Sequence, residues 1–399
     1  MCRQLAALGA WLTMTNETLI LKRIGPIIEA NIHFGDLTVM VGPQASGKSI
    51  FLQFLKLLVD TGPIFHTLKL HGLDWRKNAA DFLELYLGEG TGRIWNSQGS
   101  EMIWRGERVS LDELVRAKRK AGVERSFFIP AQRVLTLSRD GWLRPFTDYK
   151  PGDPFAVRDF SEKLRLLMEG LGRSEAVYPQ PKRLKSEIRK LLSRNIFSGF
   201  QLELEKTGPQ KRLVLSDAEH TRKLPYMVWS AGQREFVPLL LGLYRLLPPT
   251  KVKRRGEIQW VIIEELEMGL HPEAIETLLV IVLELLWRGY KVCLSTHSPY
   301  VLDLVWALRN LRENKADARA VIRIFKIKPG PTTLDLGRTA LQKDARVYYF
   351  DRESGKTRDI SNLDPASAEK VEAGWGGLTE LSGRVANAVA DAVAAGESR

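Results

Sequence analysis

Residues 37–59 read LTVMVGPQASGKSIFLQFLKLLV, and this stretch decides the fold. Its beginning is almost entirely apolar, which predicts a buried β-strand over Leu37–Val41. A glycine-rich loop follows, and the apolar residues after it predict a helix from Ser49 to about Val59. A strand, a glycine-rich loop and a helix in this order are typical of a unit that binds phosphate groups.

The loop fits the pattern G-x-x-x-x-G-K-[ST] at every position. Glycines let several backbone N–H groups turn toward phosphates, and the helix N-terminus adds a partial positive charge. We expect Lys48 to reach the β- and γ-phosphates of ATP and the Ser49 hydroxyl to bind Mg²⁺. The predicted nucleotide-binding residues of this loop are Gly42, Pro43, Gln44, Ala45, Ser46, Gly47, Lys48, Ser49 and Ile50.

A pair of carboxylates follows a second apolar run, Trp260–Ile263. Open α/β sheets bind their ligands at the carboxyl ends of the strands, which is where this pair lies. Glu264 is therefore predicted to hold Mg²⁺, and Glu265 to deprotonate the attacking water. An acidic loop that only solubilises a strand end is the plainer interpretation, and the neighbouring phosphate loop disfavours it.

A histidine follows a third buried run, Lys291–Ser295. His297 could donate a hydrogen bond to the γ-phosphate or to the attacking water. A lone histidine at a strand end is more often structural. Its position after the first two elements favours the catalytic interpretation here.

These elements occur in the order found in ABC-class P-loop ATPases, and the chain resembles the branch that includes the SMC, RecF and OLD proteins. The resemblance covers roughly Leu19 to Leu304, apart from a middle insertion. Four further segments carry it: WSAGQRE at 229–235 resembles the signature motif, EELEMGLHP at 264–272 the "DEPE-x-x-LHP" run, STHSP at 295–299 the histidine switch, and FIPAQR at 128–133 the Q-loop segment.

The resemblance implies roles for individual residues. Ser230 and Gly232, with Gln233 beside them, would contact the γ-phosphate of an ATP held by a second protomer. Glu265 would be the catalytic base and His297 the switch histidine, acting with Lys48. Gln132 would sense Mg²⁺ and the γ-phosphate. The implied metal-binding set is Ser49, Glu264 and Gln132.

Three departures from the family pattern matter. Glu264 stands where an aspartate is usual, so its longer side chain must reposition the water bound to the metal, and slow hydrolysis is expected. Leu266 replaces a proline, a change expected to be harmless. The region between the P-loop and the signature has no sustained heptads, which excludes a long coiled-coil arm, and no TOPRIM-type acidic cluster follows the switch.

The expected fold class is α/β: an ABC-type P-loop ATPase head with a mixed sheet, an α+β insertion between the P-loop and the signature motif, and a short C-terminal appendage. The expected parts are an extension without fixed structure at 1–13, the first part of the ATPase core at 14–135, the insertion at 136–222, the second part of the core at 223–330, and the appendage at 331–399. Local patterns also predict a charged helix over Ser110–Ala121 and a strand over Val321–Ile327.

The chain is strongly basic, with a net charge of +12 and a pI near 9.6. Such a balance favours a polyanionic partner. The cations concentrate in Lys182–Arg194, Lys251–Arg255 and Arg116–Lys120, which predicts sequence-independent nucleic-acid binding, because aromatic residues for base stacking are sparse among them. A solvated basic face is the alternative.

Two cysteines, Cys2 and Cys293, cannot build a disulfide framework or a zinc site, which favours a reducing compartment. No apolar run reaches the ~18–20 residues that cross a bilayer, so we expect a cytoplasmic protein without a membrane partner. Trp375 lies between glycines and either caps the core or presents a docking turn.

The pattern as a whole predicts a Mg²⁺-dependent ATPase that forms a homodimer through ATP. We expect it to be the ATPase component of a bacterial anti-phage or DNA-maintenance system, acting with a separately encoded effector. Two alternatives stay open. An ABC-transporter subunit would co-purify with a membrane protein, and a regulatory nucleotide-binding module would show little steady-state release of phosphate.

Overall fold

The computed structural model describes residues 17–170, 176–180, 184–207, 210–217, 219, 221–247, 254 and 256–397. The predicted extension at 1–13 lies outside these residues. So do Lys182, Arg183 and most of the basic segment Lys251–Arg255.

Within the described residues, the strands form three sheets. In chain order they are β1 (Thr18–Ile24), β2 (Ile27–His33), β3 (Leu37–Val41), β4 (Glu101–Trp104), β5 (Glu107–Arg108), β6 (Ser126–Ile129), β7 (Ala176–Tyr178), β8 (Gln201–Thr207), β9 (Gln210–Ser216), β10 (Lys223–Pro225), β11 (Trp260–Ile263), β12 (Lys291–Ser295), β13 (Ala345–Phe350) and β14 (Thr357–Asp359).

The helices pack mainly around the largest sheet. They are α1 (Lys48–Leu70), α2 (Ala79–Tyr86), α3 (Leu111–Arg116), α4 (Phe155–Gly170), α5 (Ser186–Leu192), α6 (Ala231–Leu246), α7 (Pro272–Trp287), α8 (Pro299–Glu313), α9 (Ala318–Ile324), α10 (Pro331–Gln342), α11 (Lys370–Ala373) and α12 (Glu380–Glu397).

The central sheet has the order β14-β13-β3-β12-β11-β6. Strands β13, β3, β12, β11 and β6 are parallel, and β14 is antiparallel to β13. Strands β3, β6 and β11 are buried along their whole length, as expected for parallel strands covered on both faces. The predicted mixed α/β fold is thereby confirmed.

Alternate residues of β3 belong to two different hydrophobic cores. Val39 and Val41 join the core formed with α6, α7 and α8, whereas Met40 joins the core formed with α1. Because successive strand side chains point to opposite faces, the sheet separates these two layers. Both layers fix the position of β3 and therefore of the loop that follows it.

The two smaller sheets are antiparallel. One has the order β2-β1-β4-β5 and contains the β1–β2 hairpin. The other has the order β10-β9-β8-β7 and contains the β8–β9 hairpin; apart from β10, it lies in the predicted insertion. The predicted appendage also contributes to the core, since β13 pairs with β3 in the central sheet.

Two local predictions are wrong. The segment Val321–Ile327 is not a strand: Asp317 caps the start of helix α9, and the buried residues Val321, Ile322 and Phe325 follow helical spacing. Its β-branched residues misled the prediction, because tertiary packing overrides such weak preferences. The charged helix expected to reach Ala121 ends at Arg116.

A buried ionic network joins α1 to its neighbours. Lys56 is almost fully buried and lies 3.2 Å from both Asp60 and Glu124. Burial opposes the charged form of Lys56, but the nearby carboxylates, Asp159 included, outweigh it and raise its pKa. Asp60 also accepts hydrogen bonds from the backbone N–H groups of Arg125 (2.7 Å) and Ser126 (3.1 Å). The network therefore anchors α1 to the start of β6.

Removing Lys56 should destabilise the fold strongly. In Lys56→Ala the Asp60 carboxylate would stay buried without its cation, which typically costs about 3–5 kcal/mol. Urea unfolding of Lys56→Ala measures the loss, with exposed Lys118→Ala as the control, expected to stay within about 0.5 kcal/mol of wild type. Equal stabilities for the two variants would contradict the role given to the network.

Candidate functional site

The glycine-rich loop connects β3 to α1 in a conformation that needs its glycines. Gly42 has a φ of 140° and Gly47 a φ of 99°, both outside the range that other residues adopt readily. A Cβ on Gly42 would lie 2.4 Å from the carbonyl oxygen of Phe350 on β13. The loop is thus closely packed against the neighbouring strand and begins where the parallel strands end.

Lys48 folds back over the loop. Its Nζ donates hydrogen bonds to the carbonyl oxygens of Gly42 and Pro43, both at 2.7 Å. Burial lowers the pKa of Lys48 to about 8, and the charges of Glu265 and Glu267 partly oppose this effect. The ammonium group therefore lies in the curve of the loop and within the electrostatic reach of the acidic segment.

Glu264 follows β11 and is buried. Its Oε2 accepts a hydrogen bond of 3.1 Å from the Ala131 N–H, while its Oε1 is buried without a partner among the described residues. Burial raises its pKa to about 7, although hydrogen bonds from Ala131 and the Ser49 hydroxyl oppose the rise. An unpartnered carboxylate oxygen beside a hydroxyl fits Mg²⁺, which binds through one or two protein groups together with waters and substrate phosphates.

Glu265 and His297 lie side by side at the same edge of the sheet. Glu265 Oε1 is 3.9 Å from His297 Nε2, and each side chain is about one-third exposed. The backbone of Glu265 has a φ of 45°, and its N–H donates to the Ser295 carbonyl at 3.0 Å. Burial and the Lys48 charge lower the pKa of His297, so its imidazole is neutral at neutral pH.

Glu267 and Arg133 support this arrangement, and the sequence did not assign them roles. Glu267 accepts a hydrogen bond of 2.5 Å from the His297 backbone N–H. Arg133 is fully buried and donates to the carbonyl oxygens of Glu264 (3.1 Å) and Glu265 (3.0 Å). Arg133 follows Gln132 in the segment that resembles a Q-loop, but no local pattern reveals which carbonyl groups it binds.

The remaining predicted residues are Gln132 and the signature residues Ser230, Gly232 and Gln233. Gln132 follows β6 at the same sheet edge, and its side chain is exposed. Ser230 caps α6: its Oγ accepts from the Gln233 N–H, and the Gln233 side chain accepts from the Ser230 N–H. Gly232 packs closely on Gly269, whose carbonyl oxygen would lie 3.2 Å from an added Cβ. The hydrogen bonds of Ser230 and Gln233 thus stay within the start of the signature helix.

Residues 138–303 match the family described as "AAA domain, putative AbiEii toxin, Type IV TA system". The matched segment contains the signature residues, the carboxylate pair and His297. The P-loop lies before this segment in the chain and follows β3, which pairs with β12 in the central sheet. This segment is therefore similar to an AAA-domain family, and the match does not extend over the rest of the chain. A comparison with curated proteins finds no match.

Solved structures similar to this chain include SMC heads and an ABC transporter cassette. The SMC head domain from Thermotoga maritima has 14% identity and a TM-score of 0.32, over 73% of this chain and 92% of that one. An SMC head bound to the C-winged helix domain of ScpA has 12% identity and a TM-score of 0.36, over 70% and 88% of the two chains. The transporter cassette MJ0796 has 12% identity and a TM-score of 0.33, over 86% and 97%.

Helices capable of crossing a membrane were not found within the described part of this chain.

Replacing Glu264 by glutamine should stabilise the ligand-free protein, and more so at higher pH. The carboxyl group has a pKa near 4.5 when unfolded and about 7 when folded, so folding favours its protonated form. Stability of the wild type therefore falls as the pH rises through that window, by up to about 3 kcal/mol. The stability of Glu264→Gln does not fall in this way, because glutamine does not ionise.

Urea unfolding at pH 5 and pH 8 in metal-free buffer measures the effect. The stability difference between Glu264→Gln and wild type should be small at pH 5 and larger at pH 8. Exposed Glu276→Gln, on α7, serves as the control. A difference that does not change with pH would show that Glu264 is already ionised in the folded protein.

Proposed function

We propose that this protein is an ATPase that hydrolyses ATP in a Mg²⁺-dependent reaction, with Lys48, Glu264, Glu265 and His297 as the residues that perform it. The observation that carries the proposal is their convergence at the carboxyl ends of the adjacent parallel strands β3, β12 and β11. A phosphate group and the water that attacks it can both be reached from this edge. The electrostatic coupling of Lys48 with Glu265 and His297 supports the same conclusion.

Each residue has a distinct proposed task. Lys48 exchanges its carbonyl partners for oxygens of the β- and γ-phosphates, aided by the N–H groups of residues 44–49 and by the start of α1. Glu264 and Ser49 would hold Mg²⁺, which supplies charge stabilisation to the transferred phosphoryl group. Glu265 accepts the proton of the attacking water, and His297 donates a hydrogen bond toward the γ-phosphate.

We further propose that the complete site requires two copies of the chain. Ser230 is exposed at the N-terminus of α6, and Gly232 and Gln233 are half-buried beside it. A helix start is favourable for an anionic phosphate. The signature residues of one protomer would therefore close over the ATP bound to the P-loop of the other, with Gln132 beside the Mg²⁺ site.

Glu265→Gln should separate ATP binding from turnover. Loss of a general base typically reduces the rate by about 10²–10⁴-fold, so the variant should bind ATP and accumulate as a dimer. Phosphate release, nucleotide binding and size-exclusion chromatography with ATP measure the three properties. Lys48→Ala should lose ATP binding, and Ser230→Arg should bind ATP but remain monomeric. A Glu265→Gln chain that stays monomeric with ATP would exclude the composite site.

For the biological role, we propose the ATPase component of a bacterial anti-phage or DNA-maintenance system, acting with a separately encoded effector. The matched family's description, which names a putative AbiEii toxin and a type IV toxin–antitoxin system, is the support. Trp375 is not a free docking turn: it is buried, and its Nε1 donates to the Leu363 carbonyl at 3.1 Å.

The aspartates of the C-terminal segment have structural partners, which favours an effector encoded elsewhere over a second metal centre in this segment. Their partners are the N–H groups of Glu353 and Ser354 for Asp351, Ser361 for Asp359, Arg346 for Asp344, the Ala366 N–H for Asp364, and Trp287 and Arg338 for Asp335. They cap turns and pair with neighbouring side chains.

We also propose nucleic-acid binding, but we assign the main phosphate contacts to a different basic segment from Lys182–Arg194. Lys185, in the predicted basic helix, lies 2.6 Å from buried Glu284, and its Nζ is 3.9 Å from the centroid of the Trp287 ring. Lys190 pairs with Glu187 at 2.9 Å. These cations have internal partners, whereas the side chains of Arg116–Lys120 are all exposed. We therefore assign the phosphate contacts chiefly to Arg116–Lys120.

Converting Lys118, Arg119 and Lys120 to glutamate should weaken binding to duplex DNA and flatten its salt dependence. For Z phosphate contacts, log K falls against log salt with a slope near −0.9Z, so losing about three contacts reduces the slope by about 2.7. Fluorescence anisotropy over a salt series measures both effects. The control converts exposed Lys315, Arg319 and Arg323, which changes the net charge equally.

Equal losses in the two triple variants would show that net charge, and not Arg116–Lys120, governs binding. The same incubations with ATP and Mg²⁺ or Mn²⁺ should leave the DNA, or RNA in its place, uncut. Cleavage that survives Lys48→Ala would place a nuclease in this chain and remove the need for a separate effector.

A further inference from the structure

Arg133 connects two elements that the proposed dimer assigns to different ATP sites. One side of its guanidinium binds the consecutive carbonyl oxygens of Glu264 and Glu265, as described above. The other side reaches helix α6, where Nε donates to the Glu235 carbonyl at 3.3 Å and lies 3.6 Å from the Glu235 carboxylate. A single buried side chain thus spans from the carboxylate pair to the signature helix.

The two elements are also packed directly against each other. Gly232 lies against the carbonyl of Gly269, and a Cβ on Gly269 would lie 3.0 Å from Cγ of Glu235. The loop that carries Glu265 therefore has little room to move independently of the start of α6. Arg133 is held in this contact. Burial lowers the pKa of its guanidinium, and the charges of Glu235, Glu267, Glu265 and Glu264 oppose that effect by favouring the charged form.

We propose that Arg133 is a positioning residue that couples the two ATP sites of the dimer. When Ser230 and Gly232 close on the nucleotide of the partner, any shift of α6 is transmitted through Arg133 to the peptide that carries Glu265 in the same chain. This inference rests on the composite site of the proposed function. It adds that each signature helix adjusts the catalytic base of its own chain as well as contacting the partner's nucleotide.

The geometry requires an arginine. The guanidinium presents five N–H donors in a rigid plane and can serve two adjacent carbonyls and a third group together. A lysine keeps the charge but has one nitrogen, which cannot occupy these positions at once. Glu265 adopts a positive φ that a non-glycine residue rarely holds without support, so a loosened clamp lets its carboxylate move from the attacking water.

Heterodimers with one functional site test the proposal. One chain carries Ser230→Arg and the other Lys48→Ala, joined through different affinity tags. The surviving site uses the P-loop of the first chain and the signature of the second. Arg133→Lys is then placed in either chain. We expect turnover to fall by about 10-fold or more in both arrangements, since displacements near 1 Å cost up to ~10²-fold, while ATP affinity changes little.

The second arrangement is decisive, because there Arg133 lies in the chain whose carboxylate pair serves the inactive site. A loss only when the substitution is in the P-loop-bearing chain would overturn the coupling, as would no loss in either. A parental heterodimer without turnover would instead overturn the composite site and the inference with it.

Arg158→Lys is the matched control, since Arg158 is also buried and donates to a backbone carbonyl, that of Leu85, away from the site. Thermal unfolding should show both lysine variants destabilised, whereas only Arg133→Lys should lower turnover from the signature-bearing chain. Equal losses there would overturn the proposal.

Glu235→Gln, which keeps the size of the side chain, provides a second variant. Placed in the signature-bearing chain, it should lower turnover; unchanged turnover would contradict the coupling.

Discussion

The parallel alignment of β6, β11, β12, β3 and β13 is the constraint on which the rest of the molecule depends. Their ladders pair Met40 with Ser295, Leu294 with Ile263, and Ile263 with Ile129, so that all their carboxyl ends reach one edge at a common height. Neighbouring strands lie about 4.8 Å apart, which places the loops after them within reach of one nucleotide. A slip of one residue would turn the buried side chains to the opposite layers, and this penalty fixes the register.

Features marked by a short continuous stretch of residues could be predicted from the sequence. The P-loop, the carboxylate pair and His297 each follow a short buried strand, and the structure brings them to one edge as expected. Contacts between distant residues left no such signal. The place of β13 beside β3, the partners of Arg133 and the burial of Lys185 against Glu284 depend on tertiary packing. The segment Val321–Ile327 failed for the same reason, because its helical burial outweighed its β-branched composition.

Lys56 and Glu264 are both buried ionisable residues, but they differ in whether the surrounding protein satisfies their charge. Lys56 is surrounded by carboxylates that satisfy it, so it anchors α1. Glu264 is equally buried, but among the described residues its Oε1 has no hydrogen-bond partner, and burial raises its pKa. Its other oxygen accepts from the Ala131 N–H, and the Ser49 hydroxyl is close enough to oppose the rise in pKa. Such unsatisfied groups are found where a ligand completes the environment.

The C-terminal segment closes the same edge of the sheet from another side. Helix α8 begins two residues after His297, and its Trp306 packs on Trp375 with ring centroids 6.3 Å apart. The adjacent Gly376 lies against Val41, the last residue before the P-loop, and against Tyr349 on β13. The tail is therefore held between the helix that follows the histidine and the strand that precedes the nucleotide loop. A shift of α8 relative to β3 would change these contacts, so the tail links the helix after His297 to the strand before the P-loop.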